Sequence, residues 1–124
     1  MSFQKTIIVT GSTSGIGLSI IEKFYEENFN CVIVGKVKSF VIKKIKNRFD
    51  KSRILILNLD LTKIHNVKKL IFLATKKFKK IDVLVNCAGM QVVESLEKYN
   101  ESIWKKLLDI NLNAAFYMTK YIYQ

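Results

Sequence analysis

Proline is absent from these 124 residues, and histidine, arginine and cysteine are scarce, at one, two and two copies. Without proline there is no Pro/Ser-rich linker, and no internal repeat or low-complexity tract interrupts the chain, so residues 1–124 read as one domain. Cys31 and Cys87 stand 56 positions apart among apolar neighbours. That pattern suits buried thiols in a reducing compartment better than a disulfide framework. The lone histidine, His65, has no Cys or His at ligand spacing, so no metal site is expected and it reads as a polar residue near a helix start. No apolar run approaches the ~20 residues of a membrane span. Met1 to Thr10 carries no apolar block behind a basic leader, so no signal peptide is expected. These absences together predict a soluble, cytoplasmic protein.

Acidic residues are also in short supply. Ten Asp and Glu face 21 Lys and Arg, a formal net charge of +11. The surplus is local: residues 36–80 hold 15 basic and 2 acidic side chains, net +13, and the rest of the chain holds 6 and 8, net −2. A field of that kind attracts phosphate-bearing partners. A lysine-rich solvated surface is the plainer reading of the same charge. Nineteen of the 21 basic residues are lysine, and bidentate reading of guanine favours arginine, so specific nucleic-acid recognition is not expected.

What is present suffices for a core: 49% of residues are hydrophobic and 25% charged, which excludes wholesale disorder. Short β-branched runs alternate with helical stripes. Thr6-Ile7-Ile8-Val9-Thr10, Cys31 to Val34, Ile54 to Leu57 (running on to Asp60) and Val83 to Val85 (ending at Asn86) read as strands buried on both faces. Between them, Ile16 to Tyr25, Phe40 to Phe49 and Val67 to Phe78 carry apolar residues at helical spacing, and a long amphipathic helix runs from about Ser102 through Trp104, Leu108, Leu112 and Phe116. The pattern β-α-β-α-β-α-β-α predicts an α/β fold: a Rossmann-like, doubly wound parallel sheet in the order 3-2-1-4. The polar and Gly-rich segments 10–17, 35–36, 60–62 and 86–89 all fall at the C-terminal ends of strands, where such folds bind ligands.

Glycine is rare, and three of its five copies lie in Thr10-Gly11-Ser12-Thr13-Ser14-Gly15-Ile16-Gly17, between the first strand and the first helix. A helix N-terminus offers free N–H groups and a favourable dipole to an anion. Gly11 allows a sharp turn, Gly15 lets a pyrophosphate approach the backbone, and Gly17 lets the helix pack close to the sheet.

This Gly-x-x-x-Gly-x-Gly spacing, with Asn86-Cys87-Ala88-Gly89 at the end of the fourth strand, resembles the short-chain dehydrogenase/reductase family, typified by Thr-Gly-x-x-x-Gly-x-Gly and Asn-Asn-Ala-Gly. The first motif matches fully. The second matches at Asn86, Ala88 and Gly89, with Cys87 in place of an asparagine. The resemblance runs from about Lys5 to the last residue. It implies that Gly11, Ser12, Gly15, Ile16 and Gly17 line the cofactor pyrophosphate, that Asp60 meets the adenine amino group, and that Leu61 lies beside the ring. The alternative for Asp60 is an N-cap of the next helix. Asn86, Ala88 and Gly89 would border the cofactor ribose. Asn111 resembles the helix asparagine that supports a water-linked proton relay, the alternative being a buried asparagine bonded to backbone. Trp104 matches a family tryptophan and is expected in the core.

Cofactor choice turns on the end of the second strand. Val34-Gly35-Lys36-Val37-Lys38 has no carboxylate to hold ribose hydroxyls. Gly35-Lys36 resembles the Gly-Arg pair of NADP-preferring members, with Lys36 and the Ser12 hydroxyl reaching a 2′-phosphate. NADP(H) is therefore expected over NAD(H).

The resemblance also exposes a gap. The family's catalytic Ser and Tyr-x-x-x-Lys lie in the second half of its fold, and this chain reaches Gln124 where members are about half complete. Tyr117 and Lys120 are three apart, not four, and none of the other tyrosines has a lysine four residues later. The expectation is thus an oxidoreductase lineage acting on a small carbonyl or secondary alcohol, truncated after the fourth strand and its helix, and inactive alone. The alternative is a non-catalytic dinucleotide-binding or interaction module. The fourth strand would become an apolar edge, which predicts marginal stability or homo-oligomers.

Overall fold

A computed structural model describes residues 4–124. The β-branched run Thr6–Thr10 forms β1, and all five residues are buried. The glycine-rich turn leads into α1 (Gly15–Glu26), and the chain returns as β2 (Asn30–Gly35), also wholly buried. There follow α2 (Ser39–Lys46), β3 (Ile54–Asn58), α3 (Ile64–Phe78) and β4 (Val83–Val85). A 3₁₀ turn at Leu96–Lys98 precedes α4 (Glu101–Leu108) and α5 (Ala114–Tyr123). A π-helical turn, Asp109–Asn113, joins those two, and backbone angles stay helical across both junctions. The long C-terminal helix is therefore present, with a π turn that no periodicity announced. Among the described residues, no helix is long and apolar enough to cross a membrane.

The sheet order is β3-β2-β1-β4, with every neighbouring pair parallel. This is the expected 3-2-1-4 order. Strand alternation sends successive side chains to opposite faces. Ile7, Val9, Cys31 and Ile33 pack under α1 and α2 with Ile21 and Ile45. Ile8, Val32 and Val34 pack against α3 and α5 with Val67, Leu70, Ala74, Ala114 and Met118. The two cores explain why β1 and β2 read as unbroken apolar runs. The start of the sheet is fastened by Asp82, whose carboxylate accepts from the Thr6 N–H at 2.9 Å and whose own N–H donates to the Thr6 carbonyl at 2.9 Å.

Scarce glycine has a local consequence. Asn28, after α1, and Lys79, after α3, take positive φ of 66° and 71° where helices commonly end on glycine. One sequence expectation fails outright. Trp104 is not in the core: it is 58% exposed, on the same helical row as the exposed Leu112 and Phe116.

Candidate functional site

The sheet dictates where a ligand can sit. β1 is flanked by β2 on one side and β4 on the other, so the chain crosses over in opposite directions from it, and a crevice opens beyond the C-terminal ends of the two. A cleft of about 550 Å³ lies there, walled by Gly11, Thr13 and Ser14 from the first turn, Gly35 and Lys36 after β2, Asp60 to Thr62 after β3, and Cys87 to Met90 after β4. Lys106 and Ile110 close it from the C-terminal helix.

The first turn is built by its glycines. Gly11 has φ +61°, and a Cβ on it would lie 2.7 Å from the Ala88 Cα. A Cβ on Gly17 would lie 2.4 Å from the Gly11 carbonyl oxygen, so α1 can begin this close to the turn only without a side chain there. Gly15 has φ +56° but nothing within 4 Å of its would-be Cβ. Ser14 gives α1 no side-chain cap, and no acidic residue stands in the first turn. The first N–H groups of a 12-residue helix are thus left for an anion.

Ser12 does not serve as expected. It is fully buried; its hydroxyl donates to the Val9 carbonyl at 2.6 Å and accepts from the Val34 N–H at 3.1 Å. The side chain braces the turn against β2 and has no reach to a phosphate. Thr10 is the complementary brace, which sequence reading left without a role. Its Oγ1 accepts from the N–H groups of Cys87 and Ala88, both at 3.0 Å, and so joins the β1 and β4 turns across the crevice.

Asn111 also holds the β4 turn. Its Oδ1 accepts from the Met90 N–H at 3.1 Å and its Nδ2 donates to the Met90 carbonyl at 2.9 Å. Both polar atoms of the side chain are used on the backbone of one residue, Met90, yet Asn111 is exposed. A Cβ on Gly89 would lie 2.7 Å from that Oδ1, so the fit needs glycine. Asn86 points elsewhere, donating to Thr119 Oγ1 on α5 at 3.3 Å.

At the other end of the cleft, Asp60 is not the N-cap of α3, which begins four residues later. Its carboxylate accepts from the Thr62 hydroxyl at 2.6 Å and the Thr62 N–H at 3.0 Å, an Asx turn. Lys36 Nζ meets it at 3.2 Å. The Thr62 hydroxyl first, then the Thr62 N–H and Lys36, hold the carboxyl below its ordinary value against partial burial. Asp60 is the sole carboxylate in the cleft wall, against Lys36 and Lys106. Leu61 is buried in the core under α3 while still lining the cleft, and Ile16 is 76% exposed on the first turn of α1.

Gly11, Lys36, Asp60, Leu61, Ala88 and Gly89 therefore share one cleft, Gly15, Ile16 and Gly17 form the helix start beside it, and Ser12, Asn86 and Asn111 brace it from behind. Thr13 lines the wall as part of the first turn, and sequence reading missed Lys106. Lys106 stands five residues before Asn111, which is not a same-face spacing on an α-helix, so no periodicity announced it. His65 lies exposed on α3, away from these residues.

The family model for short chain dehydrogenases matches residues 5–124. The sequence is 34% identical over 119 residues to a protein named NAD-dependent glycerol dehydrogenase from Listeria innocua serovar 6a, covering 96% of this chain and 46% of that one. It is 31% identical over 117 residues to a 3-oxoacyl-(acyl-carrier-protein) reductase of Buchnera aphidicola, covering 94% and 47%. Among solved structures, a putative 3-oxoacyl-reductase from Bacillus thuringiensis superimposes with a TM-score of 0.91 at 26% identity, covering 98% of this chain and 52% of that one. The chain spans about half the length of the curated relatives it matches.

Proposed function

The chain belongs to the short-chain dehydrogenase family, and on that premise we propose that its cleft binds a nicotinamide dinucleotide, NADP(H) in preference to NAD(H). The observation that carries the proposal is the uncapped start of α1 behind a turn that tolerates no side chain at Gly17, set opposite Lys36. The first-turn N–H groups would hold the pyrophosphate. Asp60 would accept from the adenine amino group, Leu61 would lie beside the ring, and the β4 turn from Asn86 to Gly89 would border a ribose. Lys36, 72% exposed at its side chain, can swing from Asp60 to a 2′-phosphate at little cost, because an exposed ion pair is worth under about 1 kcal/mol. One relative bears the name NAD-dependent, so the preference needs its own test.

When bound, the nicotinamide supplies or takes a hydride at a carbonyl or secondary alcohol. This chain's own residues bind and orient; they offer no Tyr-x-x-x-Lys within the 124 residues. Tyr117 packs against the core under α3 and α5 and is not a substitute. General acid–base help is typically worth ~10²–10⁴ in rate, so these 124 residues alone are expected to bind cofactor without turnover. Asn111 is proposed as the residue that keeps the β4 turn in register, and a part for it in a proton relay would require the missing pair. Two unbridged cysteines fit a reducing, cytoplasmic setting.

The test is a titration with NADPH and NADH, read by cofactor fluorescence, on the wild type and Lys36→Ala. Loss of Lys36 is expected to weaken NADPH by about tenfold and NADH by less than about twofold. An equal effect on both cofactors would overturn the NADP(H) preference, and no binding of either would overturn the cofactor reading.

A further inference from the structure

Apart from the cleft residues that follow it, β3 is an edge strand with a groove of its own beside it. Among the described residues, β3 pairs only with β2. The Arg53 carbonyl accepts from the Cys31 N–H, and the Leu59 N–H donates to the Gly35 carbonyl, so the odd-numbered residues turn their peptide groups toward β2. Alternation then turns those of Ile54, Ile56 and Asn58 outward. A groove of about 360 Å³ follows this edge, with Phe49, Ile56, Lys46, Lys51 and Lys77 in its walls. Lys77 Nζ donates to the outward Ile54 carbonyl at 2.6 Å. Among the described residues, none of these three lysines pairs with a carboxylate. Asp50, the acidic neighbour, spends its Oδ1 on the Ser52 N–H and hydroxyl.

We propose that this edge docks an extended acidic segment of a partner protein, which adds as a fifth strand beside β3. Outward peptide groups supply main-chain hydrogen bonds, the groove receives alternate apolar side chains, and the lysines pair with carboxylates on the others. The same lysines repel a second copy of this edge, which selects a partner of opposite charge over self-pairing. The groove shares no residue with the cofactor cleft, so the proposal stands independently of the dinucleotide reading.

The experiment uses the 124-residue chain and two fluorescein-labelled eight-residue peptides, one alternating Glu and Val, the other Lys and Val. Anisotropy is expected to show binding of the first only. Hydrogen exchange of the Ile56 amide is expected to slow at least about tenfold on binding. The exposed double variant Lys46→Glu with Lys51→Glu, which spares Lys77, is expected to lose about tenfold in affinity. Saturating NADPH should leave the peptide in place. No binding overturns the proposal and leaves the lysines as guards of the edge. Binding without Ile56 protection, or equal binding of a single-stranded oligonucleotide, reduces the groove to unspecific charge and also overturns it. An Ile56 amide already protected in a dimer of the free chain assigns the edge to a second copy and overturns it too.

Discussion

At the scale of single residues, two glycines two positions apart answer to different physics. Gly15 is required by its backbone, with φ +56° and open space around it; Gly17 is required by contact, with Gly11 backbone where its Cβ would stand. Gly15→Ala is therefore expected to cost about 1–2 kcal/mol, and Gly17→Ala about 3 kcal/mol or more, since backbone cannot yield as a side chain does. Urea denaturation of both variants checks the ranking. Cys31 provides a pH signature. Burial pushes its thiol up from 9.0 to about 11, with Arg53 partly opposing. The folded form thus keeps its proton longer than the unfolded form. The stabilisation is complete below about pH 9 and is lost as pH rises toward about 11. Comparing wild type with Cys31→Ala at about pH 8 and about pH 10.5 is expected to show a steeper alkaline loss in the wild type. The reading of Cys31 as a buried thiol came from its neighbours in sequence. The burial of Ser12 did not, because a serine in a glycine-rich turn looks the same whether its hydroxyl faces phosphate or the Val9 carbonyl.

At the scale of elements, most starts and stops were legible because apolar spacing reports burial directly. The observed α1, α3 and four strands overlie the expected ones, and β2 gains only Asn30 and Gly35 at its ends. α2 stops at Lys46, short of Phe49, which instead stacks edge-on against Tyr25 with ring centroids 5.0 Å apart. The π turn was invisible, since one extra residue in a turn leaves the apolar row Trp104, Leu108, Leu112, Phe116 intact at four-residue spacing. The end of α3 carries a prediction. Lys79 sits at φ 71° and ψ −37°, where a Cβ is penalised. Lys79→Gly is expected to raise stability by about 1 kcal/mol despite the greater freedom of glycine in the unfolded chain, seen as a shift in the urea midpoint without a change in slope.

At the scale of the whole molecule, two surfaces stand out. Lys46, Lys51 and Lys77 line the groove beside β3, while Trp104 at 58%, Leu112 at 60% and Phe116 at 60% exposure form an apolar row on the C-terminal helix. β4, three residues long and half-buried, is the other sheet edge. A row of this kind on an isolated chain favours association. Sedimentation is expected to show concentration-dependent self-association, with a blue shift in the emission of Trp104, the one tryptophan. The double variant Leu112→Lys with Phe116→Lys should abolish both while leaving helix content unchanged. A monomer at high concentration would show that the row is tolerated as free surface.

Short unbroken apolar runs, alternating along the chain with helically spaced apolar stripes, determined without any structure that this chain makes four parallel strands with intervening helices, and that its polar turns gather at one end of the sheet. Spacing alone also set the glycine turn at the start of α1, because the phosphate-binding geometry is local to strand, turn and helix. What only the tertiary structure decided are the long-range partners. Thr10 binds the β4 turn 77 and 78 positions away, Asn111 clamps Met90 across 21, and Lys36 meets Asp60 across 24. No periodicity encodes such pairs. They exist because the parallel crossovers bring the ends of β1, β2, β3 and β4 to one rim, where short polar side chains complete one another's hydrogen bonds. Trp104 follows the same logic in reverse: its spacing marks it as apolar-face, but only the packed layers decide which apolar face is covered.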